Sequence, residues 1–154
     1  MRIYLVRHGD AVPEEQAGSD RDRWLSAQGR EAARVLARLL REQGVAPDAI
    51  LTSPLPRAVQ TAELLAAGLD QLGVVTSLRC LEPSAQPRVA AHAIRDAGAA
   101  VLVVSHEPLI SALGAFLTGL PGFPQFRTAQ CCAIDHGKPT FSARADLAQV
   151  VPMF

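Results

Sequence analysis

The sequence predicts an α/β fold, a mostly parallel sheet with helices on both faces, and three observations lead there. Short apolar runs recur along the chain, each followed by a turn and then by residues at helical spacing. Strands that alternate with helices point to a parallel sheet, because parallel neighbours need a crossover. Three of the runs deliver, at or just past their ends, residues that a strand has no structural need for: Arg7-His8, Arg57 and His106. In an open α/β sheet the carboxyl ends of the strands face the crevice where ligands bind. The chain's 154 residues suit one domain, expected to span 1–154, and are enough to bury a core.

The first strand is built from Ile3, Leu5 and Val6, with Tyr4 the only polar tip among them. Residues 10–23 are polar and hold Pro13, Gly18 and Ser19, so a long surface loop is expected there. Ser26 is a good N-cap for a helix over 27–43. In that helix Ala32, Leu36, Leu39 and Leu40 share a face, and Gly44 is a natural stop. A second strand lies in 45–52, and Ser53, a candidate cap, leads with Pro54 and Pro56 into a second helix ending near Gly68. Arg57 falls in the first turn of that helix, where the dipole opposes a cation and favours an anion. Residues 74–78 read as a third strand, 88–97 as a helix and 99–104 as the strongest buried strand of the chain. Another helix follows over 109–117, stopped near Gly119, and Gly, Pro and Phe mark 116–126 as a loop. Residues 129–135 and 140–144 form a last hairpin turning at Gly137-Lys138.

Composition removes several function classes. Lys plus Arg equals Asp plus Glu at 15 each, so no basic field for nucleic acid is present. No apolar stretch reaches the length of a membrane span, and no signal peptide is visible at the N-terminus. A cytoplasmic location is expected. Cys131 and Cys132 are adjacent and Cys80 stands alone, which makes neither a zinc spacing nor a closed disulfide framework. Buried free thiols are the expectation.

The strand ends carry the chemistry. Arg7 and Arg57 offer forks of donors matched to phosphate oxygens. Gly9 lets a ligand approach the backbone. His8, neutral, can attack phosphorus through a ring nitrogen, and nearby guanidinium groups favour the neutral form. His106 can donate a hydrogen bond to a phosphoryl oxygen. A zinc site of His8, His106 and Asp10 is disfavoured because two arginines share the pocket, so no metal is expected. His92 and His136 are expected to be exposed, Asp10, Asp20 and Asp22 to solvate the loop, and Glu107 to sit at a helix start.

Leu5-Val6-Arg7-His8-Gly9 resembles the signature of the histidine phosphatase superfamily, which includes the phosphoglycerate mutases. Ser53-Pro54-x-x-Arg57-Ala58-x-Gln60-Thr61 resembles its second motif, and Val104-Ser105-His106-Glu107-Pro108 its third. Within the superfamily the chain is most similar to the short SixA-type phosphohistidine phosphatases. Asp10-Ala11, Arg23-Trp24-Leu25-Ser26 with Gly29, Leu81-x-Pro83 and Phe126-x-Thr128 extend that likeness along nearly the whole chain.

The resemblance implies a three-layer α/β/α sandwich of the phosphoglycerate mutase-like kind. It implies a hydrolase that works through phospho-His8 without cofactor, with Arg7, Arg57 and His106 completing the phosphate pocket and Arg23 a further contact. The expected substrate is a phosphorylated histidine-containing protein in signal transduction or sugar transport, such as a phosphotransfer domain or a phosphocarrier. Two alternatives stay open: a small-molecule phosphomonoesterase of the same superfamily, and a non-catalytic phosphate-binding signalling module. One departure bears on the choice. Mutases and many phosphomonoesterases place a glutamate proton donor in a Leu-x-Glu pattern, whereas here Pro83 holds that position and Glu82, the candidate proton donor, comes one residue early. An alkoxide needs an acid to leave, while an imidazole protonated on its ring leaves neutral. The substitution therefore favours a phosphoramidate substrate.

Overall fold

Alternation along a strand buried on both sides sets the architecture. In β1 (Arg2–Arg7) Tyr4 and Val6 face one apolar cluster, and Ile3 and Leu5 face another. Such a strand needs cover on each face. The computed structural model, which describes residues 1–71 and 73–153, supplies it. In chain order the remaining elements are α1 (Glu14–Ala17), α2 (Ala27–Glu42), β2 (Ala49–Thr52), α3 (Pro56–Gly68), β3 (Val75–Ser77), α4 (Pro87–Arg95), β4 (Ala100–Ser105), α5 (Leu109–Thr118), β5 (Gln130–Asp135), β6 (Lys138–Arg144) and β7 (Gln149–Pro152), with short 3₁₀ turns at Arg79–Leu81 and Ala145–Leu147. Leu36 and Leu40 of α2 and Ala58, Ala62 and Leu65 of α3 pack with Tyr4 and Val6. Ala90, Ala91 and Ile94 of α4 and Ile110 and Leu113 of α5 pack with Ile3 and Leu5.

The strand order β3-β2-β4-β1-β5-β6-β7 explains the two layers. From β1 the chain steps outward past β4 to β2 and on to β3, through α2 and α3. It then reverses to β4 through α4. Right-handed crossovers put helices on opposite faces when the direction of travel reverses. β1, β2, β3 and β4 pair in parallel, while β5, β6 and β7 extend the β1 edge as an antiparallel ribbon. The fold is thus the expected α/β sandwich with a mixed sheet.

Several boundaries move for identifiable reasons. Ser26 does cap α2, accepting from the Gly29 N–H at 3.0 Å. The buried stripe of α2 runs through Ala33, Leu36, Ala37 and Leu40, and Ala32 lies beside it, half-buried. α3 starts at Pro56 with Leu55 as its N-cap, so Ser53 does not cap it. The polar segment 10–23 contains the short α1, and Ala11 bridges to Leu25 to tie its two ends together. α5 runs on to Thr118 before Gly119 turns left-handed at φ 70°. The β5–β6 turn sits at His136 and Gly137, with φ of 49° and 75°, one residue earlier than expected. β7 gave no signal in the sequence, because Val151 is exposed and Pro152 ends the strand, which pairs only with the edge of β6.

One close approach holds the first loop to the sheet. A Cβ on Gly9 would meet the Gly29 carbonyl oxygen at 2.8 Å, and a Cβ on Gly29 would overlap the Asp10 carbonyl oxygen. The turn after β1 therefore lies against the first turn of α2. Helix propensity alone makes Gly29→Ala stabilising by about 1 kcal/mol. Backbone overlap reverses the sign, and we expect a loss of about 2 kcal/mol in urea unfolding. A midpoint that rises instead would show that the loop gives way freely.

Candidate active site

Register brings the three strand ends to one edge of the sheet, β2 finishing one residue short of β1 and β4. Arg7 pairs with Ser105, and Thr52 with Val104. The next residues, His8, Ser53 and His106, leave neighbouring strands together. Backbone bonds extend the ladders past the strand ends, from His8 N–H to Ser105 O at 3.1 Å and from Ser53 N–H to Val104 O at 3.0 Å. On the other side the Ala129 N–H donates to both Arg7 O and His8 O, at 3.1 and 3.0 Å. The peptide carrying His8 is thus fixed from two directions.

His8 is 8% exposed, and its ring centroid lies 4.9 Å from that of His106, which is 2% exposed. His8 Nδ1 lies 2.7 Å from the Gly9 carbonyl oxygen. A carbonyl only accepts, so Nδ1 carries the hydrogen and Nε2 keeps the lone pair. Burial, reinforced by the charges of Arg57, Arg7 and Arg23, pulls the His8 pKa down to about 4 against the opposing bond to Gly9. Burial, then the neighbouring His8 and the same two pocket arginines, pulls His106 to about 2. Both rings are neutral at pH 7. Gly9 N–H donates to Thr61 Oγ1 at 3.1 Å, and Thr61 in turn donates to the Arg57 carbonyl at 2.8 Å, which ties the β1 turn to α3.

The guanidinium groups are held from outside. Arg7 Nη1 donates to the Phe126 carbonyl at 2.7 Å, and the Phe126 N–H donates to Glu107 Oε2 at 2.7 Å. Glu107 also accepts from the N–H and hydroxyl of Ser111, at 3.2 and 2.7 Å. Arg57, 4% exposed, donates through Nη1 to the Asp20 carbonyl at 2.7 Å and through Nη2 to the Asp20 carboxylate at 3.4 Å. Among the described residues, the buried side-chain nitrogens with no protein partner are Arg7 Nε, Arg57 Nε and His106 Nδ1. They belong to three of the residues expected to hold a phosphoryl group, and each is a polar atom that burial leaves in need of a partner.

The structure brings Arg7, His8, Gly9, Arg57 and His106 together at the strand ends. Arg23 stands at the margin, its Nε donating to the Val12 carbonyl at 2.7 Å and its Nη1 to Asp20 at 3.2 Å. Glu82 forms an ion pair with Arg21, and among the described residues no hydrogen bond links it to His8, Arg7, Arg57 or His106. His92 and His136 are exposed, as expected. Two expectations change. Asp20 does not merely solvate the loop, since it holds both Arg57 and Arg23. Glu107 does more than start a helix, since it fixes the peptide that accepts from Arg7. Ser53, read as a helix cap and as part of the second motif, has its hydroxyl 2.7 Å from His106 Nε2 instead. Among the described residues no group of His, Cys, Asp and Glu is placed to hold a metal ion, and no helix is long and apolar enough to cross a membrane.

Residues 3–82 match the profile of the histidine phosphatase superfamily (branch 1). The phosphohistidine phosphatase SixA of Escherichia coli strain K12 is 32% identical over 149 residues, 92% of this chain and 91% of that protein. The chain belongs to the histidine phosphatase superfamily, branch 1. A solved structure of the protein histidine phosphatase SixA complexed with tungstate superposes with a TM-score of 0.86 and 29% identity, covering 97% of this chain and all of the other. The rat enzyme 6-phosphofructo-2-kinase/fructose-2,6-bisphosphatase 1 is 38% identical over 69 residues, which is 45% of this chain and 15% of that protein. The family match spans the first two motifs, and likeness to SixA extends across the whole fold.

Neutral buried histidines make stability depend on pH. The unfolded chain takes up a proton near pH 6.5, whereas His8 in the fold resists it down to about 4. The stabilising contribution is complete above pH 6.5 and is lost as pH falls through that window. Urea midpoints should fall between pH 7 and pH 4.5, and less steeply in His8→Asn. Equal slopes for the two proteins would mean that His8 is not held neutral.

Proposed function

We propose that this chain hydrolyses the phosphoryl group of phosphohistidine on a protein, through a covalent phosphoryl group on His8. The observation that carries this reading is the tautomer of His8, a neutral ring with its lone pair on Nε2, set beside the unpartnered nitrogens of Arg7, Arg57 and His106. In the first step Nε2 attacks phosphorus, and the P–N bond to the substrate imidazole breaks; that ring, already protonated from water on its other nitrogen, takes the bonding pair and leaves neutral. Positive charge arising on His8 is balanced by the phosphoryl charge it gains. Arg7 and Arg57 neutralise the equatorial oxygens, and His106 offers one hydrogen bond. In the second step water attacks phosphorus, loses a proton to bulk water, and inorganic phosphate leaves with the bond to His8 Nε2 broken. Gly9 leaves the backbone open to the incoming group, and Arg23 adds charge at the margin.

A protein-borne phosphohistidine, on a phosphotransfer domain or a phosphocarrier, is supported by two considerations. Likeness to SixA spans 92% of the chain, whereas likeness to the rat bisphosphatase covers 45% of it. The leaving imidazole also needs no strong acid, which agrees with Pro83 in place of a glutamate and with Glu82 engaged by Arg21. Residues 1–154 act as one domain in this reading.

The test is hydrolysis of a phosphohistidine protein beside a panel of phosphate esters, with chelator present. Wild type should clear the phosphohistidine at least about 100-fold faster than the esters, and His8→Ala should be inactive. Glu82→Gln should change phosphohistidine turnover less than about threefold, since an exposed ion pair contributes little. Fast ester turnover that is lost in Glu82→Gln would make the chain a small-molecule phosphatase with Glu82 as its acid. Phosphate binding without turnover of any substrate would make it a binding module.

A further inference from the structure

His8 and His106 sit side by side, yet a phosphoryl group asks opposite things of them. One must present a lone pair and the other a hydrogen. For His8 the choice is forced by the carbonyl of Gly9. For His106 it depends on Ser53.

Ser53 is fully buried, at 0% exposure. Its hydroxyl oxygen accepts the Leu55 N–H at 3.2 Å and lies 2.7 Å from His106 Nε2. A hydroxyl has one hydrogen and two lone pairs, and Leu55 takes one of the lone pairs. If Nε2 carried the hydrogen and donated it, both lone pairs would be filled. The hydroxyl hydrogen would then have no acceptor among the described residues, and a buried unpaired O–H is costly. If the hydroxyl donates to Nε2 instead, Ser53 is satisfied. The single ring hydrogen of neutral His106 must then be on Nδ1, the buried nitrogen with no protein partner. We propose that Ser53 is a positioning residue that holds His106 in the Nδ1–H tautomer, and so makes it a hydrogen-bond donor to the phosphoryl group that His8 attacks. The last clause rests on the function proposed above, while the tautomer does not.

Both histidines are then Nδ1–H tautomers used in opposite senses. His8 turns its hydrogen toward the backbone and leaves Nε2 free. His106 turns its lone pair toward Ser53 and leaves the hydrogen free. The same accounting explains a serine at the end of β2 where the helix cap is Leu55.

The tautomer can be read directly on the resting protein. Long-range proton–nitrogen correlation spectra of histidine-labelled wild type at pH 7 should show His106 protonated on Nδ1 and bare on Nε2. In Ser53→Ala the His106 pattern should move toward the Nε2–H form. Ser53→Thr, which keeps the hydroxyl, should keep the wild-type pattern. An Nε2–H pattern in wild type overturns the proposal whatever the enzyme acts on. The kinetic arm follows single-turnover transfer from a phosphohistidine protein. Ser53→Ala should slow transfer by about 10-fold, below the roughly 100-fold that loss of one transition-state donor costs in His106→Ala. Added to His106→Ala it should change nothing further, because it acts through that ring. A 10-fold loss in both backgrounds would make Ser53 merely structural and overturn the proposal. A protein that shows the Nδ1–H pattern but no transfer would keep the tautomer and sink the functional reading.

Discussion

Burial beside guanidinium groups keeps His8 uncharged, and the hydrogen bond from its Nδ1 to the Gly9 carbonyl decides which nitrogen holds the lone pair. The rest of the site is arranged around that ring. A protonated His8 could not attack phosphorus, and an exposed one would spend part of its time protonated near neutral pH. Taking the ring out of water and placing Arg57 and Arg7 nearby disfavours the charged form by two independent routes. The same arginines that lower its pKa are the ones that would receive an anion. In the proposed reaction, nucleophile activation and substrate binding are therefore one electrostatic arrangement rather than two.

That arrangement costs stability, and the fold meets the cost through the backbone. Arg57 is buried and Arg7 half-buried, so loop carbonyls and one carboxylate take their outer nitrogens: Phe126 for Arg7, and Asp20 for Arg57. Each of those loops is itself anchored, the first by Glu107 and the second by Arg23 and by the bridge between Ala11 and Leu25. Parallel pairing sets the scaffold, because three strands that finish within one residue of each other bring residues far apart in sequence to one edge.

The sequence made the scaffold and the charged centre legible. Apolar alternation located β1 and β4, and Arg7, His8, Arg57 and His106 stood out as residues that strand ends and a helix start do not otherwise call for. The supporting partners were illegible for a physical reason. Asp20 lies in a polar loop whose composition says only that it is exposed, and its contact with Arg57 spans 37 residues. Ser53 reads locally as a cap, and its contact with His106 joins residues 53 apart in sequence across neighbouring strands. β7 is mostly exposed, so it carries no hydrophobic period to detect.

The claim on which the whole account turns is that His8 Nε2 bonds to phosphorus during turnover. The most direct measurement is rapid quench in alkali of the enzyme mixed with a phosphohistidine protein, followed by mass spectrometric mapping of the phosphoryl group. The account predicts transient label on His8, at Nε2, that decays as inorganic phosphate appears. Turnover with no label on His8 at any time, or label on another residue, would contradict it.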